Sequence, residues 1–85
     1  MNKFIEMLKD KGLIDRLKIT YALAGEPTVG TPEQKKETVG ETFMGCVTLE
    51  MMRDTELQKA FAEYAAEVAH KHLSNELYKI VVEGK

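Results

Sequence analysis

The sequence predicts an all-α fold: short N-terminal helices, a linker, and a long antiparallel helical hairpin that completes a bundle by self-association. Three observations predict it. Gly12 separates two apolar faces of helical period. Thr31-Pro32-Glu33-Gln34 has the make-up of a helix start, and so does Asp54-Thr55-Glu56.

Phe4, Met7 and Leu8 share one helical face that runs up to Lys11. After Gly12 the apolar residues are Leu13, Ile14, Leu17, Tyr21 and Ala24. At about 100° per residue this second set lies nearly opposite the first. One straight helix cannot bury both. Gly12 is therefore expected to cap a short first helix, with Leu13 as the apolar residue that often follows such a glycine. A second helix should cover 14–24. Gly25-Glu26-Pro27-Thr28-Val29-Gly30 is rich in turn formers and reads as a linker, 25–31. Thr31 then suits an N-cap, Pro32 the first helical position, and Gln34 the far corner of a capping box. Asp54 can accept from the free amides of the next helix, whose positive end Glu56 favours. These starts bracket helices at 32–53 and 55–82. So short a joint folds them into an antiparallel hairpin, 32–82, within one domain.

An α+β arrangement competes. Leu17, Ile19, Tyr21 and Leu23 alternate with polar or small residues, and so do Phe43, Gly45, Val47, Leu49 and Met51. The helix start at Thr31, directly upstream of the second run, favours the all-α reading.

Composition narrows the function classes. An 85-residue chain has room for one modest core, and pairing with a second copy is a common remedy. The net charge is −2, from 12 basic and 14 acidic residues, and Lys35-Lys36 is the only adjacent basic pair. Nucleic acid binding wants basic residues clustered on one face, so no nucleic acid partner is expected. No apolar run approaches the roughly 20 residues of a membrane span, and the N-terminus lacks a signal-peptide pattern. The single cysteine, Cys46, excludes an internal disulfide. A reducing, cytoplasmic setting is the expectation. Phosphate-binding glycine loops and a Gly-x-Ser-x-Gly elbow are missing. Cys46 has no activating base placed beside it and reads as a packing residue, so no catalytic residue is assigned.

The segment 55–82 carries what chemistry there is. Glu63, Glu67 and His70 form a carboxylate–histidine cluster, and Glu67 and His70 have the Glu-x-x-His spacing that bundles use to hold iron or manganese. On one continuous helix, Leu57, Phe61, Tyr64 and Val68 make an apolar stripe. Ala62, Ala66, Ala69, Leu73, Leu77 and Ile80 make a second beside it. Glu63, Glu67, His70 and Ser74 take the remaining arc and face away from the core. A solvated face is then the plain reading, and a metal site, in one chain or across a dimer, the alternative. The second stripe points instead to self-association through Ala62, Ala66, Ala69, Leu73 and Leu77. His72 falls at the edge of the first stripe with Glu76 four residues on, a pair that could make a contact sensitive to pH. In the preceding helix Glu50 falls inside an apolar stripe. It lies about 22 Å from His72 along the hairpin, at about 1.5 Å per residue, so the two could meet only across an antiparallel dimer; within one chain Glu50 is expected to reach water or to pair with a nearby arginine such as Arg53. Gly40, Met44, Gly45, Met51 and Met52 make that helix adaptable, as on surfaces that bind a protein partner.

Residues 41–85 resemble the helical hairpins of the ferritin-like superfamily, and within it the Coat F type of spore-coat domain. Thr55-Glu56-Leu57, His72-Leu73 and the ending Ile80…Glu83-Gly84 carry the likeness. The resemblance implies a hairpin that pairs into a four-helix bundle. Iron-binding members use Glu-x-x-His, matched in spacing by Glu67 and His70 but here turned outward. Coat-type members imply no catalysis and a spore-associated place. The expected function is that of a small, non-enzymatic structural or interaction protein that self-associates. The alternatives are an iron or manganese protein and a small regulatory module that binds a partner helix.

Overall fold

A computed structural model describes residues 3–68 and 70–84. Among them it contains five helices and no strand: α1 (Lys3–Asp10), α2 (Leu13–Ala24), α3 (Pro32–Met51), α4 (Thr55–Ala65) and α5 (His70–Val81). The chain is all-α. Both alternating runs are helical. In the second, Phe43, Val47 and Met51 are buried while Gly45 and Leu49 are exposed, a spacing of four rather than two.

The helix boundaries follow local chemistry where the sequence supplies it. Gly12 sits in the left-handed region at φ 75°, which L side chains rarely adopt, and its N–H donates to the Lys9 carbonyl at 3.0 Å. The capping box closes in both directions. The Gln34 N–H donates to Thr31 Oγ1 at 3.2 Å, and the Thr31 N–H donates to Gln34 Oε1 at 2.9 Å. Asp54 Oδ1 accepts from the Leu57 N–H at 3.1 Å and so caps α4.

The single helix expected over 55–82 is two helices. α4 ends at Ala65, and Ala66, Glu67 and Val68 form a turn before α5 begins at His70. The reason is the phase of the apolar residues. Leu57 and Leu73 are separated by about 160° on a helix of about 3.6 residues per turn, so the two stripes lie nearly opposite rather than side by side. A break lets both reach one core. Leu57 and Tyr64 of α4 are buried there, and so are Leu73, Leu77, Ile80 and Val81 of α5.

The packing has two antiparallel pairs with α2 against both. In one, Phe4 of α1 meets Phe61 and Tyr64 of α4, with ring centroids 5.4 and 5.9 Å apart, while Lys11 reaches Asp54 at the other end. In the other, Lys36 of α3 lies over the Tyr78 ring, and Gly40 meets Ser74. α2 packs on α1, α3 and α5. Its side toward α3 is set by Arg16 to Glu50 and by Tyr21 against Phe43. Burying a large apolar side chain is worth about 1.5–3 kcal/mol, and Phe4, Leu8, Phe43, Val47, Leu57, Leu73 and Leu77 are all buried almost completely. Among the described residues no helix is long and apolar enough to cross a membrane.

Candidate functional site

The carboxylate–histidine cluster does not share one helix. Glu63 is exposed on α4, Glu67 is exposed in the turn, and His70 opens α5. The Glu-x-x-His spacing is therefore not the helical i, i+3 pair that bundle metal sites use. The side chain of His70, and all of Ala69, lie outside the described residues. Among those described, no three His, Cys, Asp or Glu side chains gather as a metal site would need.

The supposed self-association face divides. Leu73 and Leu77 are buried in the chain's own core, whereas Ala62 and Ala66 are exposed. In the folded chain Leu73 and Leu77 are therefore occupied. His72 moves the other way. It is exposed, not at a buried edge, and its Nε2 lies 3.8 Å from Glu76 Oε1. The break before α5 explains this too. Once Leu73 and Leu77 set the inward face of α5, His72 stands outside it. Ser74, placed outward on a continuous helix, is instead 3% exposed.

Glu50 pairs with Arg16 of α2 at 2.9 Å and not with Arg53. Cys46 is half-buried against the core beside this pair. A stronger tie joins the two corners of the fold. Lys11 Nζ lies 2.6 Å from Asp54 Oδ2. This contact, with the Leu57 N–H, holds the Asp54 carboxyl below its ordinary 3.8, and the same contact raises Lys11 above its ordinary 10.5. The groove between α3 and α5 is closed by charge pairs, Lys71 to Glu37 at 3.5 Å and Lys36 to Glu83 at 3.9 Å. Burial pushes the Tyr78 hydroxyl up in its floor, and Tyr21, Glu26 and Glu83 add to the shift.

The uncommitted surface lies on the other side of α3. Thr38, Thr42, Gly45, Leu49 and Met52 are all exposed and none is charged. They recur at intervals of four, three, four and three residues, the spacing of a helix–helix seam. The Thr38 hydroxyl donates to the Gln34 carbonyl at 2.9 Å and the Thr42 hydroxyl to the Thr38 carbonyl at 3.0 Å. Their donors are thus spent within the helix. Gly45 leaves open space where a Cβ would stand. Of the residues expected to make this helix adaptable, Gly45 and Met52 face water, while Gly40, Met44 and Met51 are buried. Beside the seam, Tyr21, Ala24, Pro27, Val39 and Phe43 line a cleft of about 210 Å³. That is below the roughly 300–1,000 Å³ of small-molecule sites and closer to the size of one or two side chains. Leu23 and Val29, at the same end of α2 and in the linker, are each 84% exposed.

The seam was legible in the sequence as an uncharged repeat of period seven, hidden because the same helix carries a stronger stripe through Val39, Phe43 and Val47. The Gly40–Ser74 contact had no comparable signal. No family model, curated protein or solved structure matches this chain.

Proposed function

We propose that this chain is a small non-enzymatic structural or interaction protein that works by self-association. The observation that supports this best is the outer seam of α3, where Leu49 and Met52 lie 64% and 74% exposed in line with Gly45, Thr42 and Thr38. Large apolar side chains left in water, aligned and without interleaved charge, fit a second helix better than they fit solvent. The notch at Gly45 admits a close helix approach. The resemblance of 41–85 to ferritin-like and Coat F type hairpins points the same way, since such hairpins pack in pairs.

Sedimentation velocity across micromolar to millimolar concentration tests this reading. The parent chain should show a concentration-dependent dimer or larger species, and Leu49→Glu should reduce it to monomer with an unchanged far-UV circular dichroism spectrum. A parent that stays monomeric throughout would remove self-association. Association that Leu49→Glu leaves intact would move it to another face.

A further inference from the structure

The outer seam of α3 is unequal from end to end. Before Gly45 it is small, with Thr38 and Thr42, and beside those two lies the cleft lined by Tyr21, Ala24, Val39 and Phe43. After Gly45 it is large, with Leu49 and Met52 exposed at 64% and 74%. At about 1.5 Å per residue, Leu49 and Met52 stand about 6 and 10 Å beyond Gly45, and Thr42 and Thr38 about 4 and 10 Å before it. Gly45 itself has open space where a Cβ would stand. The two halves therefore match in length about that glycine, one projecting and one recessed. The Thr38 and Thr42 hydroxyls already donate within α3, so an apolar neighbour leaves no donor of theirs unpaired.

Charge divides the same way. Next to Met52, Glu50 is paired with Arg16 and Asp54 with Lys11, which leaves the charge of Arg53. At the cleft end, Lys36 is paired with Glu83 and Glu37 with Lys71, and Glu26 and Glu33 outnumber Lys35. Two α3 helices laid parallel would set Leu49 on Leu49 and Arg53 on Arg53, and would leave both clefts empty. Laid antiparallel about Gly45, they bring Leu49 and Met52 of each copy level with Thr42 and Thr38 of the other, at the mouth of its cleft, with Arg53 at the acidic end. A patch that meets itself about a two-fold axis is the commonest form of homodimer.

We infer that the cleft between α2 and α3 is the receiving site for a second copy: the two α3 helices cross antiparallel at Gly45, and Leu49 and Met52 of each enter the cleft of the other. At about 210 Å³ the cleft suits one or two side chains. The arrangement rests on the self-association proposed above and adds to it an orientation and a pocket.

Isotope-filtered NMR of a dimer made from equal amounts of labelled and unlabelled chain reads contacts between copies alone. The methyl protons of Leu49 and Met52 should meet the Tyr21 ring and the Thr42 methyl of the other copy. A dimer with contacts from Leu49 to Leu49, or with none from Leu49 or Met52 to the cleft, overturns the antiparallel crossing and leaves self-association standing. A chain that stays monomeric at millimolar concentration overturns both and leaves the cleft to a different partner. In a second arm, Ala24→Trp fills the cleft and leaves the seam of α3 unaltered. Sedimentation should then show a dissociation constant raised at least tenfold, with an unchanged far-UV circular dichroism spectrum. A dimer as tight as the parent's would contradict entry into the cleft. Arg53→Gln gives the orientation a sign. It should weaken an antiparallel dimer about twofold to fivefold at low salt, whereas a tighter dimer would indicate that Arg53 faces Arg53 and that the helices run parallel.

Discussion

At Gly12 the backbone turns through φ 75°, with no Cβ to oppose it, and α1 gives way to α2 in two residues. Between Ala65 and His70 the chain changes helix again, yet Ala66 keeps helical dihedrals, and the Tyr64 carbonyl accepts from both the Glu67 N–H, three residues on, and the Val68 N–H, four residues on. Both joints solve one problem, two apolar stripes on opposite faces of what would otherwise be a single helix. The first is written into the backbone by its residue type. The second is held by what the two helices bury. A joint of the first kind should survive loss of packing, and one of the second kind should not.

The largest test of that difference removes the packing. Leu57→Ala on α4 and Leu77→Ala on α5 each delete a fully buried side chain. Each should cost about 2–5 kcal/mol in urea unfolding. Because both stripes share one core, the two losses should be similar and independent of protein concentration. A Leu77→Ala effect that grew on dilution would return Leu77 to a surface between copies.

A smaller effect is expected at the crossing that fixes α5. A Cβ on Gly40 would stand 2.2 Å from Ser74 Oγ and 2.8 Å from the Ser74 carbonyl oxygen. The hydroxyl can rotate away, but the carbonyl cannot. Gly40→Ala should therefore destabilise by about 1–3 kcal/mol through overpacking, despite the better helix propensity of alanine. A neutral or stabilising result would mean that α5 sits further from α3.

The two joints can then be compared directly. Gly12→Ala forces a left-handed alanine and should cost about 1–2 kcal/mol. Ala66→Gly falls at the frayed end of α4 and should cost less than about 1 kcal/mol. Equal losses would contradict the distinction drawn between them.

How far the sequence carried depends on the same distinction. The end of α1 and the starts of α3 and α4 were legible because Gly12, Thr31 with Gln34, and Asp54 each act through their own backbone or side chain. The start of α5 was not, although the phase argument that divides α1 from α2 applies equally to Leu57 and Leu73. Without a glycine to mark the place, two stripes looked like one helix with two neighbours. A continuous helix also puts His72 at a buried edge and Ser74 outside, the reverse of their places in α5. The acidic side chains of the supposed metal cluster are exposed, Glu63 on α4 and Glu67 in the turn, while the seam on α3 was overshadowed by the core stripe of the same helix.

The smallest effect is electrostatic. Asp54 has a lowered pKa in the folded chain, so its contribution is complete above the ordinary carboxylate value of 3.8 and fades as pH falls below it. Lys11 is raised, so its contribution is complete below 10.5 and fades as pH rises beyond that. Between those limits the pair should add nothing to the pH dependence of stability. Asp54→Asn should flatten the acid limb of a stability–pH profile, and an acid limb unchanged in that variant would remove the pair from it.

The break between α4 and α5 is tested most directly by solution NMR of the monomer. The structure predicts proton contacts from Phe4 to Tyr64 and from Gly40 to Ser74 within one chain, with helical chemical shifts that weaken between residues 65 and 70. An uninterrupted helix from 55 to 82 in the monomer, without the Gly40–Ser74 contact, would contradict it.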